Sequence, residues 1–525
     1  MPVAGRGCFA AVRGPIEGVS APAGRRGAGG PRMPRRERTD MSQTVQTPTT
    51  QGSQLHASPA VREAIGVLRE EVRRRSATIT GPRAGREELR ETYADLLERA
   101  KKVRGRELLY PYIGSGVGNG ALVELADGSV KWDMICGIGV HFFGHSDEEL
   151  IAAGVEGALE DTLQNGNLQT NFEAYRFGET LLAEASRSTR LAHCYASPTG
   201  ALANENALKV CYQKHAPASR VLAFKDCFMG RTVTLSQIGD AAANRVGLPL
   251  STLVDYVPFY SEVVAERVGQ AKHIGMIVDH VCSYVERYPR QHACFIMELV
   301  QGEGGFNTAP REFFLALVEV CRANGIAVWA DEVQTFGRTT AMFAAEALGI
   351  GEHVDVMTVG KMSQVCATLY TPEYNPGPGL LSATFTGAGP AFTVGRRIIE
   401  RLRDGDYYGP GGRIAQHHAA FREQVRALAA KHPQWFPPVA DGVLTPAPKG
   451  VVGGIGGMMR FSPFGGRKER ITKACRTCFD EGVILFSCGH GPYHLRMLPP
   501  LGVMRLEDWS RVFECVERGL AKAAS

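Results

Sequence analysis

The chain has 525 residues, of which 44% are hydrophobic and 22% charged, with 59 Lys and Arg against 54 Asp and Glu. This composition is that of a globular protein, and the length predicts more than one folding unit. No apolar run approaches the roughly 20 residues that cross a bilayer. The net charge of +5 is small and eight Arg fall in the first 38 residues, so neither nucleic acid nor a membrane surface is expected as a partner.

The N-terminal arm, residues 1–55, is rich in Gly, Pro, Arg and Ser and has no apolar periodicity. This composition predicts disorder. The arm lacks the apolar stretch of a secretion signal and the thirteen cysteines are scattered, which together predict a cytoplasmic protein with reduced thiols. Cys475 and Cys478 have the spacing of a zinc-ligand pair, but a second pair is missing. The pattern therefore favours two core residues of a helix over a metal site.

Beyond the arm, helical periodicity covers 59–75 and 86–104, and an Asp-Gly turn inside 122–134 predicts a β-hairpin. From about 150 to 370, helical stretches alternate with short apolar runs at 220–226, 294–300, 326–333 and 354–361. Such alternation is typical of βαβ units and a mostly parallel sheet, so an α/β fold is predicted.

The same pattern predicts the division of the chain. Residues 56–150 form an N-terminal segment that contributes to a smaller domain, and residues 151–390 form the large domain. Longer helices with few strands follow in 391–525, which is typical of an α+β small domain.

Polar residues follow several of the apolar runs, at the strand ends where parallel sheets bind ligands. The segment SPTGALANENALK places Gly200 and Ala201 at the start of a helix, where free N–H groups hold phosphates. Asp331 ends one strand, and Lys361 follows another thirty residues later. A phosphate cradle, a buried acid and a desolvated amine are the groups that pyridoxal phosphate requires. Each feature taken singly is also compatible with a plain turn, a capping acid or a surface lysine.

Six ordered motifs carry a resemblance to a known family: GALANENALK, FMGRT, ELVQGEGG, WADEVQTFGR, GK and TFTG. Over roughly 105–520 the chain resembles the class III aminotransferases of pyridoxal phosphate fold type I. The resemblance implies a large domain with a mostly parallel seven-stranded sheet, a smaller α+β domain, and a homodimer with the active site at the subunit interface.

The resemblance also implies roles for the residues around the cofactor ring. Lys361 is expected to be the Schiff-base lysine and proton carrier, and Asp331 to pair with the pyridine nitrogen. Gln334 is expected to contact the phenolic oxygen. Val333 and Phe228 are expected to pack on the two faces of the ring.

Further roles concern the phosphate and the substrate. Gly200 and Ala201 are expected to donate amides to the phosphate, and Thr384 to reach it from the partner subunit. Glu298 is expected to support the site through hydrogen bonds. The substrate residues are Arg231, which grips a carboxylate, and the pair Glu303 and Arg496, in which the acid masks the guanidinium.

Two departures from the family pattern concern the cofactor. Ala201 stands where a Ser or Thr is usual, which removes a hydroxyl from the phosphate turn, and Met229 stands where His is usual. Neither affects Lys361 or Asp331, so catalytic competence is expected.

Within the family the motifs most resemble the lysine 6-aminotransferase and 4-aminobutyrate aminotransferase branch. The expected reaction moves the terminal amine of an ω-amino acid to a keto acid, 2-oxoglutarate, by ping-pong chemistry. Alternatives are an acetylornithine or ornithine aminotransferase, an aminomutase of the same fold, a pyridoxal-dependent lyase and a non-enzymatic cofactor binder. A nicotinamide enzyme is poorly supported, because the Gly-rich stretch 114–120 lacks the last Gly of the dinucleotide motif.

Overall fold

The computed structural model describes residues 49–161, 163–439 and 450–525, and Thr50–Ser525 form one compact unit. Most of the predicted disordered arm, residues 1–48, lies outside the described residues. Its last part, residues 51–55, is helical, so the prediction of disorder is wrong there. The physical reason is a helix cap: Thr50 Oγ1 accepts a hydrogen bond from Ser53 N at 3.2 Å.

Helices make up much of the described chain. Their bounds are α1 (Gln51–Ala57), α2 (Pro59–Ser76), α3 (Arg90–Arg104), α4 (Cys136–Gly139), α5 (Glu148–Ala158), α6 (Phe172–Ala185), α7 (Gly200–Lys214), α8 (Val233–Ile238), α9 (Glu262–Val268), α10 (Gln270–Arg287), α11 (Arg311–Asn324), α12 (Ala344–Ala347), α13 (Gly389–Asp404), α14 (Arg413–Lys431), α15 (Lys468–Asp480) and α16 (Asp508–Ala524). The predicted helices at 59–75 and 86–104 correspond to α2 and α3.

The strands are short and mostly buried. Their bounds are β1 (Gly114–Asn119), β2 (Leu122–Leu125), β3 (Val130–Asp133), β4 (Gln164–Asn165), β5 (His193–Ser197), β6 (Arg220–Phe224), β7 (Leu253–Val257), β8 (His292–Glu298), β9 (Ala327–Glu332), β10 (Val356–Val359), β11 (Cys366–Tyr370), β12 (Gly387–Ala388), β13 (Val452–Ile455), β14 (Met458–Phe461), β15 (Val483–Ile484), β16 (Phe486–Cys488) and β17 (His494–Met497).

The central sheet has seven strands in the order β5-β11-β10-β9-β8-β6-β7. β11 pairs antiparallel with both neighbours, and the other pairs are parallel. This confirms the predicted α/β fold with a mostly parallel seven-stranded sheet. The four apolar runs of the sequence form β6, β8, β9 and β10. They are largely apolar because helices cover both faces of a parallel sheet, and every residue of β8, β9 and β10 is buried.

Two smaller sheets lie in the parts of the chain before and after this core. β2 and β3 form the predicted hairpin, with Leu122 opposite Trp132, and β15 joins β3 in parallel. The N-terminal segment and the C-terminal part therefore share a sheet. The second sheet, β13-β14-β17-β16, is antiparallel and belongs to the C-terminal part.

The cysteine pair of α15 packs in the apolar core. Cys475 and Cys478 are buried and free, and burial raises the pKa of both thiols. Among the described residues, no group of three or more His, Cys, Asp or Glu side chains is placed to hold a metal ion. Nor does any helix in that part of the chain have the length and apolar character needed to cross a membrane.

Candidate active site

The carboxyl ends of β9 and β10 bring Asp331 and Lys361 to one edge of the sheet. Asp331 is the register partner of Thr358, and Lys361 follows two residues after β10 ends at Val359. Lys361 has a φ of 53°, in the left-handed region that a side chain adopts at a cost. The sharp turn after Gly360 therefore sets the direction in which the lysine leaves the strand.

Asp331 is buried and held by two hydrogen bonds. Asn204 Nδ2 donates to its Oδ2 at 2.9 Å, and the Val333 N–H donates to its Oδ1 at 2.9 Å. Burial raises the pKa of the Asp331 carboxyl, and these hydrogen bonds oppose the rise. A cationic group at this carboxylate would relieve the cost of burying its charge.

Asn204 was missed by the sequence reasoning. It lies on α7, and its Nδ2 also donates to Met229 O at 2.8 Å. The available signal was an amide inside the quoted motif, four residues after Gly200. A spacing of four residues places Asn204 one helical turn after Gly200, on the same side of the helix, which faces the sheet.

Lys361 lies in a desolvated environment with charges of both signs. Burial lowers the pKa of its amine, Glu303 and Asp331 oppose this shift, and Arg496 adds to it. The neutral, nucleophilic form of the amine is therefore favoured relative to an exposed lysine.

The start of α7 faces the same edge of the sheet. Thr199 is the N-cap, and its Oγ1 accepts from Leu202 N at 3.2 Å, so the helix begins at Gly200. A Cβ at Gly200 would lie 2.8 Å from Val333 Cγ1, and only a glycine permits this approach. The first N–H groups of a helix have no acceptor within it, so the amides of Gly200 and Ala201 can receive an anion.

Phe228 and Glu298 contact each other at the carboxyl end of β8. The Phe228 N–H donates to Glu298 Oε2, and the Gly302 N–H to Oε1, each at 3.1 Å. Burial, aided by the charge of Asp331, raises the pKa of Glu298 to about 8. The exposed Arg231 has its Cζ 5.4 Å from the centre of the Phe228 ring. Glu298 thus joins two backbone segments by hydrogen bonds, and its role in supporting the site stays a prediction.

Gln334 carries a buried oxygen that has no hydrogen-bond partner among the described residues. Its side chain lies against Gly302, where a Cβ would come within 2.5 Å of Oε1. A buried polar atom without a partner is costly, so a polar group of a ligand is expected there.

Glu303 and Arg496 form an ion pair, with Oε1 and Nη2 2.7 Å apart. Arg496 is fully buried, whereas the Glu303 side chain is 26% exposed. The contact is close but not aligned as a hydrogen bond, and all three guanidinium nitrogens lack a hydrogen-bond partner in the described part of the chain. The acid thus covers an arginine that retains its donors.

Thr384 occupies a different position. It is exposed, on the segment whose β12 pairs with β4, and its backbone oxygen approaches Gly166. Its expected contact with the phosphate requires a second subunit and stays a prediction.

The comparisons with known proteins agree with this geometry. The family model "Aminotransferase class-III" matches residues 112–518. A diaminobutyrate–2-oxoglutarate transaminase of Marinococcus halophilus is 27% identical over 75% of this chain and 87% of its own length. A 5-aminovalerate aminotransferase of Pseudomonas putida is 27% identical over 78% of this chain and 94% of its own length. A lysine aminotransferase structure from M. tuberculosis aligns with a TM-score of 0.69 and 23% identity, over 81% of this chain and 99% of that chain.

The fold and the site define a pyridoxal phosphate enzyme of fold type I. The chain belongs to the class III aminotransferase family and is a pyridoxal phosphate-dependent transaminase, with an amino donor and a keto acid as substrates.

Proposed function

We propose that the enzyme transfers the terminal amine of an ω-amino acid to 2-oxoglutarate by ping-pong chemistry. The observation that carries this proposal is the Glu303–Arg496 pair. With the arginine masked, an ω-amino acid presents its distal amine without an α-carboxylate beside it. When Glu303 turns away, Arg496 is free to take the α-carboxylate of the keto acid. The relatives support this, since they include diaminobutyrate–2-oxoglutarate transaminases and a 5-aminovalerate aminotransferase.

The residues of the site fit the cofactor. The unpartnered Gln334 Oε1 lies in the site, Asp331 is a buried carboxylate suited to a protonated ring nitrogen, and α7 offers amides for a phosphate. We assign Gly200 and Ala201 to the phosphate, Asp331 and Gln334 to the ring substituents, and Val333 and Phe228 to the ring faces. Thr384 of a second subunit completes the phosphate site.

Bound pyridoxal phosphate withdraws electrons from the reacting carbon of the substrate. Lys361 Nζ would hold the cofactor, and as a free amine it would take the proton from that carbon. The lowered pKa of the lysine favours the neutral amine, which is the form that accepts this proton. Asn204 and Val333 hold the Asp331 carboxylate in place by donating to its two oxygens. Arg231 and Arg496 hold substrate carboxylates.

The test follows the first half-reaction by cofactor absorbance, with one amine at a time and no keto acid. L-Lysine, 4-aminobutyrate, 2,4-diaminobutyrate and N-acetylornithine are compared with L-glutamate. At least one of the terminal amines is expected to convert the cofactor to its amine form. Glu303→Gln is expected to shift the rate ratio toward glutamate by about tenfold or more, equivalent to about 1.4 kcal/mol, because the arginine is no longer masked by charge.

The matched control is Glu312→Gln, which removes an exposed carboxylate of α11. This variant is expected to keep the parent's ratio. Conversion by none of the terminal amines, or an unchanged ratio in Glu303→Gln, contradicts the proposed specificity.

A further inference from the structure

A second buried arginine lies beside Arg496 in the C-terminal sheet. On β14, Arg460 is the register partner of Arg496 on β17 and of Gly453 on β13. Directly opposed residues of antiparallel strands point to the same face of a sheet. The neighbours of Arg460 along β14, Met459 and Phe461, belong to the apolar core. Two guanidinium groups therefore share the other face.

The two arginines differ in their partners. Arg496 has Glu303 as a counter-ion, whereas Arg460 has no carboxylate within 4.0 Å among the residues that the structure describes. Arg460 is only 5% exposed, and its Nε and Nη1 lack hydrogen-bond partners in the same part of the chain. Burial lowers the pKa of the guanidinium, and Glu262 partly opposes the shift. A buried cation without a partner is costly unless a ligand compensates its charge.

The sheet provides a specific place for this side chain. A Cβ on Gly453 would lie 2.4 Å from Arg460 Cζ, so the guanidinium lies across β13 at a position where any larger residue would displace it. Gly453 and Arg460 both line a cavity between this sheet and the loops next to it. The arginine is thus held at the cavity wall by the strand beside it.

The cavity has a volume of about 1020 Å³, at the upper end of the range for small-molecule sites. Its lining carries three positively charged side chains, Lys225, Arg422 and Arg460. It also carries two carboxylates, Asp226 and Glu262, and the histidines are counted as neutral. Arg460 is the one buried cation of the three, whereas the charges of Lys225 and Arg422 are screened by water, so a monoanion matches this arginine. Apolar side chains of the lining suit an apolar body attached to that anion; they include Phe259, Val263, Met276, Ile277 and Phe306.

The cavity is distinct from the site of the catalytic lysine. Lys361 does not line it, whereas Gly304 and Phe306, from the loop that carries Glu303, form part of its wall. The Arg496 Cζ lies 5.8 Å from the centre of the Phe306 ring. A ligand in the cavity therefore touches the loop that positions the substrate-binding ion pair.

We propose that this cavity is a second ligand site that binds a small organic monocarboxylate, with Arg460 as the ligand of the carboxylate. The Arg460 guanidinium donates to the carboxylate, and the aromatic wall packs on the apolar body of the acid. The site is separate from the one at which the amino group is transferred.

Isothermal titration calorimetry of the cofactor-loaded enzyme with 3-phenylpropionate tests this proposal. The parent is expected to bind the probe, and Arg460→Met to bind it about tenfold more weakly or worse, the loss expected for one charge-assisted contact. The matched control, Arg422→Gln, removes an exposed arginine of the same cavity and is expected to stay within about threefold of the parent.

Two further measurements do not depend on the folding of a variant. In the parent, the neutral 3-phenylpropanamide is expected to bind about tenfold more weakly than the acid, because it lacks the charge that Arg460 receives. Enzyme whose cofactor has been blocked with aminooxyacetate is expected to bind the acid as tightly as before. No binding to the parent, equal binding of acid and amide, or loss of binding after the block overturns the proposal.

Discussion

The buried carboxyl of Glu298 makes the stability of the folded chain depend on pH. Its pKa rises from the usual 4.5 to about 8 in the folded chain, so the folded state holds one more proton than the unfolded state between these values. The free energy of unfolding is therefore expected to decrease as the pH rises from 4.5 to 8, by on the order of 5 kcal/mol for this group. Glu298→Gln, which cannot titrate, is expected to show a shallower decrease.

Denaturant unfolding of the cofactor-free protein at several pH values measures this slope. In Glu298→Gln, the NH2 group of the amide faces one of the two N–H donors, which lowers the free energy of unfolding at every pH. The change of this free energy with pH, and not its absolute value, therefore tests the prediction. Glu319→Gln, an exposed position on α11, is the control and is expected to keep the parent's slope. Parallel curves for the parent and Glu298→Gln would contradict the prediction.

At the scale of elements, the close packing of α7 on the end of β9 shapes the proposed cofactor site. Gly200→Ala is expected to push Val333 away, because the new Cβ would lie 2.8 Å from its Cγ1. We expect at least about a tenfold loss of cofactor affinity, since a methyl group in a closed contact costs about 1–3 kcal/mol. Equilibrium binding of pyridoxal phosphate to the cofactor-free protein measures this loss.

Val333→Ala provides the matching half of a double-mutant cycle. In the double variant, the smaller side chain makes room for the new methyl group, so its affinity is expected to exceed that of Gly200→Ala alone. Strictly additive losses would show that the two residues do not compete for the same space.

At the scale of the whole molecule, exposed apolar residues support the proposed homodimer. Leu163, Leu168 and Phe385 are 52%, 95% and 53% exposed, on two segments joined by the pairing of β4 with β12. Thr384 belongs to the same surface. Large exposed apolar side chains grouped in this way are typical of an interface.

The double variant Leu168→Glu/Phe385→Glu is expected to sediment as a monomer and to retain less cofactor than the parent, because Thr384 of the second subunit is lost. Leu506→Glu, at a residue 44% exposed in the C-terminal part, is the control and is expected to remain dimeric. A parent that sediments as a monomer, or a double variant that remains dimeric, argues against this interface.

The local pattern of the chain was sufficient for the fold and for the residues at strand ends. Buried parallel strands read as apolar runs, and their carboxyl ends converge at one edge of the sheet, so Asp331 and Lys361 were predictable from short segments. Gly200 was predictable for a similar reason, since a helix that starts after a small-residue turn exposes its first amides.

The tertiary structure alone decided the contacts between residues far apart in the chain. Asn204 reaches Asp331 across 127 positions, and Arg460 meets Arg496 only because β14 pairs with β17 in one register. Periodicity reports which face of an element is buried but not which residue of another element it meets. The local sequence therefore determined the fold class and the placement of Asp331 and Lys361 at one edge of the sheet, whereas packing between elements decided the contact of Asn204 with Asp331, the Glu303–Arg496 pair and the second cavity.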